Sequence, residues 1–246
     1  MNKKYKLTDK KFFPEINKEL WQIEALCDFG DVAKGKRGGW IESESNLDTY
    51  GDAWVYGNAK VCENAKVYGD AWVYGDAWVC GNAKVCENAK VYGDVWVYGN
   101  AKVCGDAKVY GDAWVYEYAW VCGNAKVCEN AKVYGDAWVY GDAKVCGNAW
   151  VCGKAEVCGN AEVCGKAEVL VLGKLGYSRR FITATWSKDN CVKVRAGCFF
   201  GTIDEFKKAV IKKYGEGESD YMLIIPLLRK KEKEWGKAQQ ERNENE

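Results

Sequence analysis

Gly51-Asp52-Ala53-Trp54-Val55-Tyr56 is followed by Gly57-Asn58-Ala59-Lys60-Val61-Cys62 and Glu63-Asn64-Ala65-Lys66-Val67-Tyr68, and the sixes continue without insertion or deletion to Gly165–Leu170. Twenty hexads fill these 120 residues; the third position is Ala in nineteen of them (Val95 is the exception) and the fifth is Val in all twenty. A period this strict marks a solenoid, in which each unit buries its apolar face only against its neighbours. Positions three and five lie two apart, so on an extended strand they share one face, while positions four and six share the other. Position four holds only Trp, Lys or Glu, and its twelve Lys and Glu residues could not be buried unpaired without several kcal/mol each. Ala and Val are therefore the expected core, and position four is expected to face solvent. Gly or Glu followed by Asp, Asn or Lys at positions one and two makes each corner, with Tyr118 the one departure; Gly and Asn tolerate the positive φ of a tight turn.

Val55-Tyr56-Gly57-Asn58-Ala59-Lys60 and nearly every unit after it resemble the hexapeptide-repeat family, whose pattern is an aliphatic residue, three spacers, a small residue and one more spacer. The resemblance covers about half the chain and implies an all-β solenoid. Its form would be a left-handed parallel β-helix, triangular in section, with three hexads per coil and about seven 18-residue coils. Stacked at ~4.8 Å, such coils make a rod of roughly 30 Å. Each buried Val contributes ~1.5 kcal/mol or more, so seven coils hold where one would not.

Residues 1–44 read as an N-terminal β cap, 45–176 as the solenoid and 177–246 as a small C-terminal α+β module. Leu20–Cys27 alternates as a strand, with Trp21, Ile23, Ala25 and Cys27 on one side. Asp28-Phe29-Gly30-Asp31-Val32 and Gly38-Gly39-Trp40-Ile41-Glu42 are similar to the segment leading into the first coil of uncharacterised bacterial and phage hexapeptide-repeat proteins, some described as transferases. A phage or mobile-element origin is what that resemblance implies. A β-helix end exposes unpaired backbone and apolar core, so it needs such a cover. Ser45–Tyr50 reads as a degenerate first hexad with Leu47 and Thr49 in the core slots. Downstream, Phe181–Trp186 and Cys191–Ala196 read as a β-hairpin. Thr202-Ile203-Asp204-Glu205 has capping-box spacing and opens a helix closed by Gly215, and a second helix starts near Asp220 with Pro226 early in it.

The composition excludes several roles. A formal net charge of +1 gives no field that favours nucleic acid or anionic lipid. No apolar run is long enough for a bilayer, and the basic start lacks the apolar stretch of a secretory signal; the expected compartment is the cytoplasm. Thr is absent from the twenty hexads, against an ice-binding face, and 15 acidic residues against 11 Lys between Gly51 and Leu170 fall short of DNA mimicry.

Thirteen cysteines include ten at position six. Unrolled at 18 residues per coil, Cys128, Cys146 and Cys164 share one edge and Cys86, Cys104 and Cys122 another. Disulfides between stacked parallel residues are strained by the rung separation. A metal ladder suits thiolates but lacks an accompanying His or paired CxxC. The expectation is thus of ordinary half-exposed, reduced cysteines, with no metal ligand and no cofactor.

Family resemblance suggests acyl transfer first, using a His base and a loop that leaves the coil. This chain has no histidine and no interrupted hexad, and a general base working near neutral pH needs a group that titrates there. The reading is a non-catalytic rigid scaffold or binding protein without catalytic residues, the alternative being an acyltransferase-like enzyme or an inactive descendant of one. A candidate binding surface combines Trp78, Trp96, Trp114, Tyr98 and Tyr116 with a basic column, Lys90, Lys108, Lys126 and Lys144; aromatic ladders suit a protein or glycan partner. Homo-oligomers are compatible with the rod. Against a ligand-shaped surface, GNAKVCENAKVYGD recurs at Gly57–Asp70, Gly81–Asp94 and Gly123–Asp136, at offsets that are not multiples of 18, so successive copies land on different faces.

Overall fold

The computed structural model describes residues 3–15, 17–159, 161–164, 169–175, 180–187, 189–215 and 219–243. The hexads form the expected parallel β-solenoid of about seven turns. Val91 stands beside Val73 on one side and Val109 on the other, so the coil repeat is 18 residues. From Ala53 to Val163 every third- and fifth-position residue described is at most 1% exposed. The ladder is regular: Lys60 N–H donates to Ala77 O at 2.8 Å and Cys62 N–H to Val79 O at 3.0 Å. Rungs fall on three sheets. One carries Trp40, Lys60, Trp78, Trp96, Trp114, Lys132 and Trp150 at its outward positions; a second carries Trp54, Trp72, Lys90, Lys108, Lys126, Lys144 and Glu162; the third carries Lys66, Lys84, Lys102, Trp120, Trp138 and Glu156.

Corners explain position one. Gly81 has φ +70° and a Cβ there would stand 2.8 Å from Gly99 N, so glycine is the default. Glu63, Glu87, Glu117 and Glu129 nevertheless adopt φ near +60°, at ~1 kcal/mol or more each. Three of them offset that cost by accepting the amide one coil on: Gly81 N–H to Glu63 at 2.7 Å, Gly105 N–H to Glu87 at 2.7 Å and Gly147 N–H to Glu129 at 2.8 Å. Charge-assisted bonds of this kind contribute about 1.5–3 kcal/mol where shielded and less in solvent.

The N-terminal end is closed by three strands, β1 (Tyr5–Phe13), β2 (Lys18–Ala25) and β3 (Arg37–Ile41), antiparallel to one another, with β3 joining the first sheet in parallel beside Lys60 and Val61. β2 confirms the expected strand shifted by two residues, so Cys27 lies past its end and is exposed; β1 has no counterpart in the sequence reading. Gly38 and Gly39 cross the open core so closely that Cβ atoms would lie 2.5 Å from Val55 O and 2.6 Å from Ala59 O. Beneath them Trp54 is fully buried, edge-on to Phe29 at 5.3 Å and Tyr5 at 6.2 Å. The buried Lys4 ammonium donates to Gly51 O at 2.9 Å and Ala53 O at 2.8 Å, satisfying carbonyls that have no coil below them.

Two expectations are corrected here. Leu47 bridges Val67, so it fills the fifth-position slot rather than the third; Thr49 is exposed, and buried Asn46 donates to Glu63 O and Ala65 O at 2.9 Å. The cap coil is two residues longer than its successors (Ile41 pairs with Val61), and this extra length shifts the register. Position four is also not uniformly outward: Trp54 and Lys60 at 8% are buried because the cap folds over them, and Trp78 at 7% is covered by Lys60 and the Trp96 ring.

At the other end an antiparallel sheet runs in the order Val169–Leu175, Arg180–Ser187, Cys191–Ala196, Phe199–Thr202, followed by α1 (Ile203–Tyr214) and α2 (Asp220–Asn243). The expected hairpin and both helices are present; the first four residues of the last hexad lie outside the described residues. Alternation on Arg180–Ser187 divides two environments. Ile182, Ala184 and Trp186 pack with Phe206, Val210, Ile224 and Leu228 of the helices. The buried Thr183 and Ser187 meet the solenoid: Glu156 N–H donates to the Thr183 hydroxyl at 3.2 Å, and Ser187 bridges Ala161. Arg195 adds a bond to Glu156 at 3.2 Å, and the Phe200 ring covers Gly159. The module is therefore the second cap. Among the described residues no helix is long and apolar enough to cross a membrane.

Candidate functional site

Outward side chains stack by coil. Trp78 and Trp96 rings lie 4.5 Å apart, and Trp96 and Trp114 5.9 Å. The column is closed by ammonium groups, Lys60 at 4.6 Å over Trp78 and Lys132 at 4.8 Å over Trp114. Tyr98, Tyr116 and Tyr134 stack beside it at 4.9 and 4.8 Å. On the third sheet Trp120 and Trp138 stack at 4.9 Å, with Lys102 over Trp120 at 4.9 Å. On the second, Lys90 sits 4.8 Å over Trp72, and Tyr74, Tyr92 and Tyr110 stack at 4.7 and 5.1 Å. Where Trp gives way to Lys in a column, the cation covers the last ring face, an attraction of ~0.5–1 kcal/mol or more. Glycan recognition by an aromatic platform needs an open ring face, and these rings turn their faces to one another.

The candidate surface thus divides. Trp78, Trp96 and Trp114 share the first sheet with Tyr98 and Tyr116 just past its strands, and Trp78 is buried between the Lys60 ammonium and the Trp96 ring. Lys90, Lys108, Lys126 and Lys144 align in register on the second sheet, so the basic column and the Trp column do not meet. Lys144 bonds Glu162 at 2.9 Å, which raises its pKa, chiefly through that hydrogen bond. Among the described residues Lys108 and Lys126 are exposed and form no ion pair. Neighbouring ammonium groups one rung apart repel by about 1 kcal/mol in water before screening.

Cysteines depart from the half-exposed expectation. Cys62, Cys86, Cys104, Cys128, Cys146 and Cys158 are buried at 7% exposure or less, while Cys80 and Cys122 are half-buried as expected. Cys146 is disulfide-bonded, contrary to the expected reduced state. On the other edge Tyr68, Cys86, Cys104 and Cys122 form a hydrogen-bonded chain. Its bonds push the Tyr68 hydroxyl up to about 12 and the Cys86 thiol upward, while the bond from Cys104 brings Cys122 down to about 7.

A cleft of about 500 Å³ opens beside the N-terminal cap between Glu44, Asp48, Lys66 and Lys84. A smaller one, about 250 Å³, lies in the C-terminal module against Phe199, Phe206 and Tyr221. The first mixes carboxylates with ammonium groups and the second is largely aromatic. Neither was legible in the sequence, because both arise where a cap meets other elements. No family model and no curated protein matches this chain.

Proposed function

We propose that this chain is a non-catalytic, rigid β-solenoid scaffold that binds a protein with an acidic surface through the face carrying Lys108 and Lys126. The carrying observation is the contrast between its outward groups. Most tryptophan faces are taken up by stacking and by lysine ammonium groups, Trp138 and Trp150 being the most open, whereas Lys108 and Lys126 stand exposed and like-charged and form no ion pair among the described residues. Acidic groups opposite would relieve that repulsion, and complementary charge of this kind governs encounter rate and specificity. Stiffness supports a scaffold role: continuous parallel ladders, stacked rings and a cap packed at each end hold the coils in one arrangement.

The test compares capture of host proteins on immobilised wild-type chain and on Lys108→Glu/Lys126→Glu. Partners held by wild type at low salt should be lost from the variant and from wild type at high salt. Equal capture by both would refute the assigned face. In parallel, acyl-thioester donors should be hydrolysed no faster than in buffer; turnover that follows the protein would overturn the non-catalytic reading.

A further inference from the structure

We propose that Cys86, Cys104 and Glu87 form a binding site for a thiophilic d10 metal ion of the zinc class. The two Sγ atoms and a Glu87 carboxylate oxygen all lie within 4.8 Å of one another. A tetrahedral zinc centre, with Zn–S ~2.3 Å and Zn–O ~2.0–2.2 Å, places such donors roughly 3.5–3.8 Å apart, a distance that side-chain rotation closes. Glu87 is already oriented: Gly105 N–H holds one carboxylate oxygen at 2.7 Å and leaves the other to ligate. Fixing a ligating carboxylate through an outer hydrogen bond is how metal sites are made rigid. Cys86 and Cys104 are buried at 1% and 7% exposure while Glu87 is exposed, so the ion enters from the carboxylate side into a dry pair of sulfurs. Charge balances: two thiolates and a carboxylate carry −3, against +2 from the ion and +1 from Lys102, whose ammonium acts on both thiols. Cys122, bonded to Cys104 from the next coil, or a water completes four-coordination.

The arrangement is built into the duplicated unit. Cys62–Cys80, Cys86–Cys104 and Cys128–Cys146 are three copies of one 19-residue stretch, identical at 16 positions, and each begins Cys-Glu and ends with a Cys one coil on. Copies fall on different edges of the prism, yet every copy brings its own two thiols and carboxylate. Among the described residues only the Cys86–Cys104 copy brings all three donor atoms within reach of one ion. Cys62 is packed beneath Phe13 and Leu20, and Cys146 is committed to a disulfide. Cys86 and Cys104 are both free thiols.

The experiment uses the full chain with the Cys146 disulfide left intact and air excluded to keep the free thiols reduced. Co²⁺ serves as the visible probe of tetrahedral thiolate ligation and Zn²⁺ as competitor, with thiol alkylation mapped by mass spectrometry. One equivalent of Co²⁺ should give a thiolate charge-transfer band that Zn²⁺ bleaches, and Zn²⁺ should protect Cys86 and Cys104 from alkylation. Cys86→Ser/Cys104→Ser should abolish the band, Glu87→Gln should weaken binding about tenfold, and Cys27→Ser should leave it unchanged. Absence of the band in wild type, its survival in the double variant, or protection mapping to cysteines other than Cys86, Cys104 and Cys122 would overturn the site. Should the double variant fail to fold, the protection map on wild type decides.

Discussion

Replacing Gly39 with alanine isolates the contact on which the N-terminal closure rests. A Cβ on Gly39 would stand 2.6 Å from Ala59 O and 2.7 Å from Val55 Cγ1. Reaching an ordinary separation of about 3.4 Å requires β3 to move by roughly 0.8 Å, and one of the atoms in the way is backbone. The same stretch makes the bonds that tie the cap to the first coil, Trp40 N–H to Ala59 O at 2.9 Å and Glu42 N–H to Val61 O at 3.0 Å. Losing two bonds at ~1 kcal/mol each and overpacking at ~1–3 kcal/mol gives a destabilisation of about 3–5 kcal/mol. Gly57→Ala is the matched control: its φ is +57° but its nearest neighbour lies at 3.8 Å, so it should cost only the left-handed backbone term of ~1 kcal/mol. Equilibrium urea unfolding measures both, and hydrogen exchange should show faster opening of residues 37–42 in Gly39→Ala alone. Equal destabilisation by the two substitutions would refute the claim that close passage over the core, rather than turn geometry, dictates this glycine.

Trp96→Ala should destabilise by about 1–3 kcal/mol in urea melts, because it removes two stacked contacts at ~0.5–1.5 kcal/mol each from the middle of the column; no change would mean the ladder is decorative. At α1, Thr202→Ala should lower stability by about 1 kcal/mol through loss of the N-cap bond to Glu205 N–H, measurable by thermal circular dichroism. The Thr202 N–H holds the Glu205 carboxyl below its ordinary 4.5, so the stability it lends is present above pH 4.5 and lost as pH falls through the lower folded value. Glu205→Gln should flatten that acid limb in a helicity titration, and an unaltered limb would exclude Glu205 as its source.

The hexads by themselves determined the core and the rung length, because an invariant Val and a near-invariant Ala two apart give every six-residue unit one apolar face; three hexads per coil was what the family resemblance implied, and the 18-residue pairing of the rungs agrees with it. The hairpin and α1 were equally legible, since Thr202 and Glu205 form a local capping box. What escaped the sequence lies where separate elements meet. Strand β1 alternates too weakly to be read alone and is defined by pairing with β2. Leu47 was misplaced because a cap coil longer by two residues resets the register. Burial of Trp54 and Lys60 at outward positions follows from a cap folded over them. The thiol pair with Glu87 was visible only as a column; the left-handed corner that points the carboxylate back toward both sulfurs is a tertiary fact. Periodicity specifies what every coil shares, whereas the ends and edges, where one coil differs from the next, are decided by the packing of the whole chain.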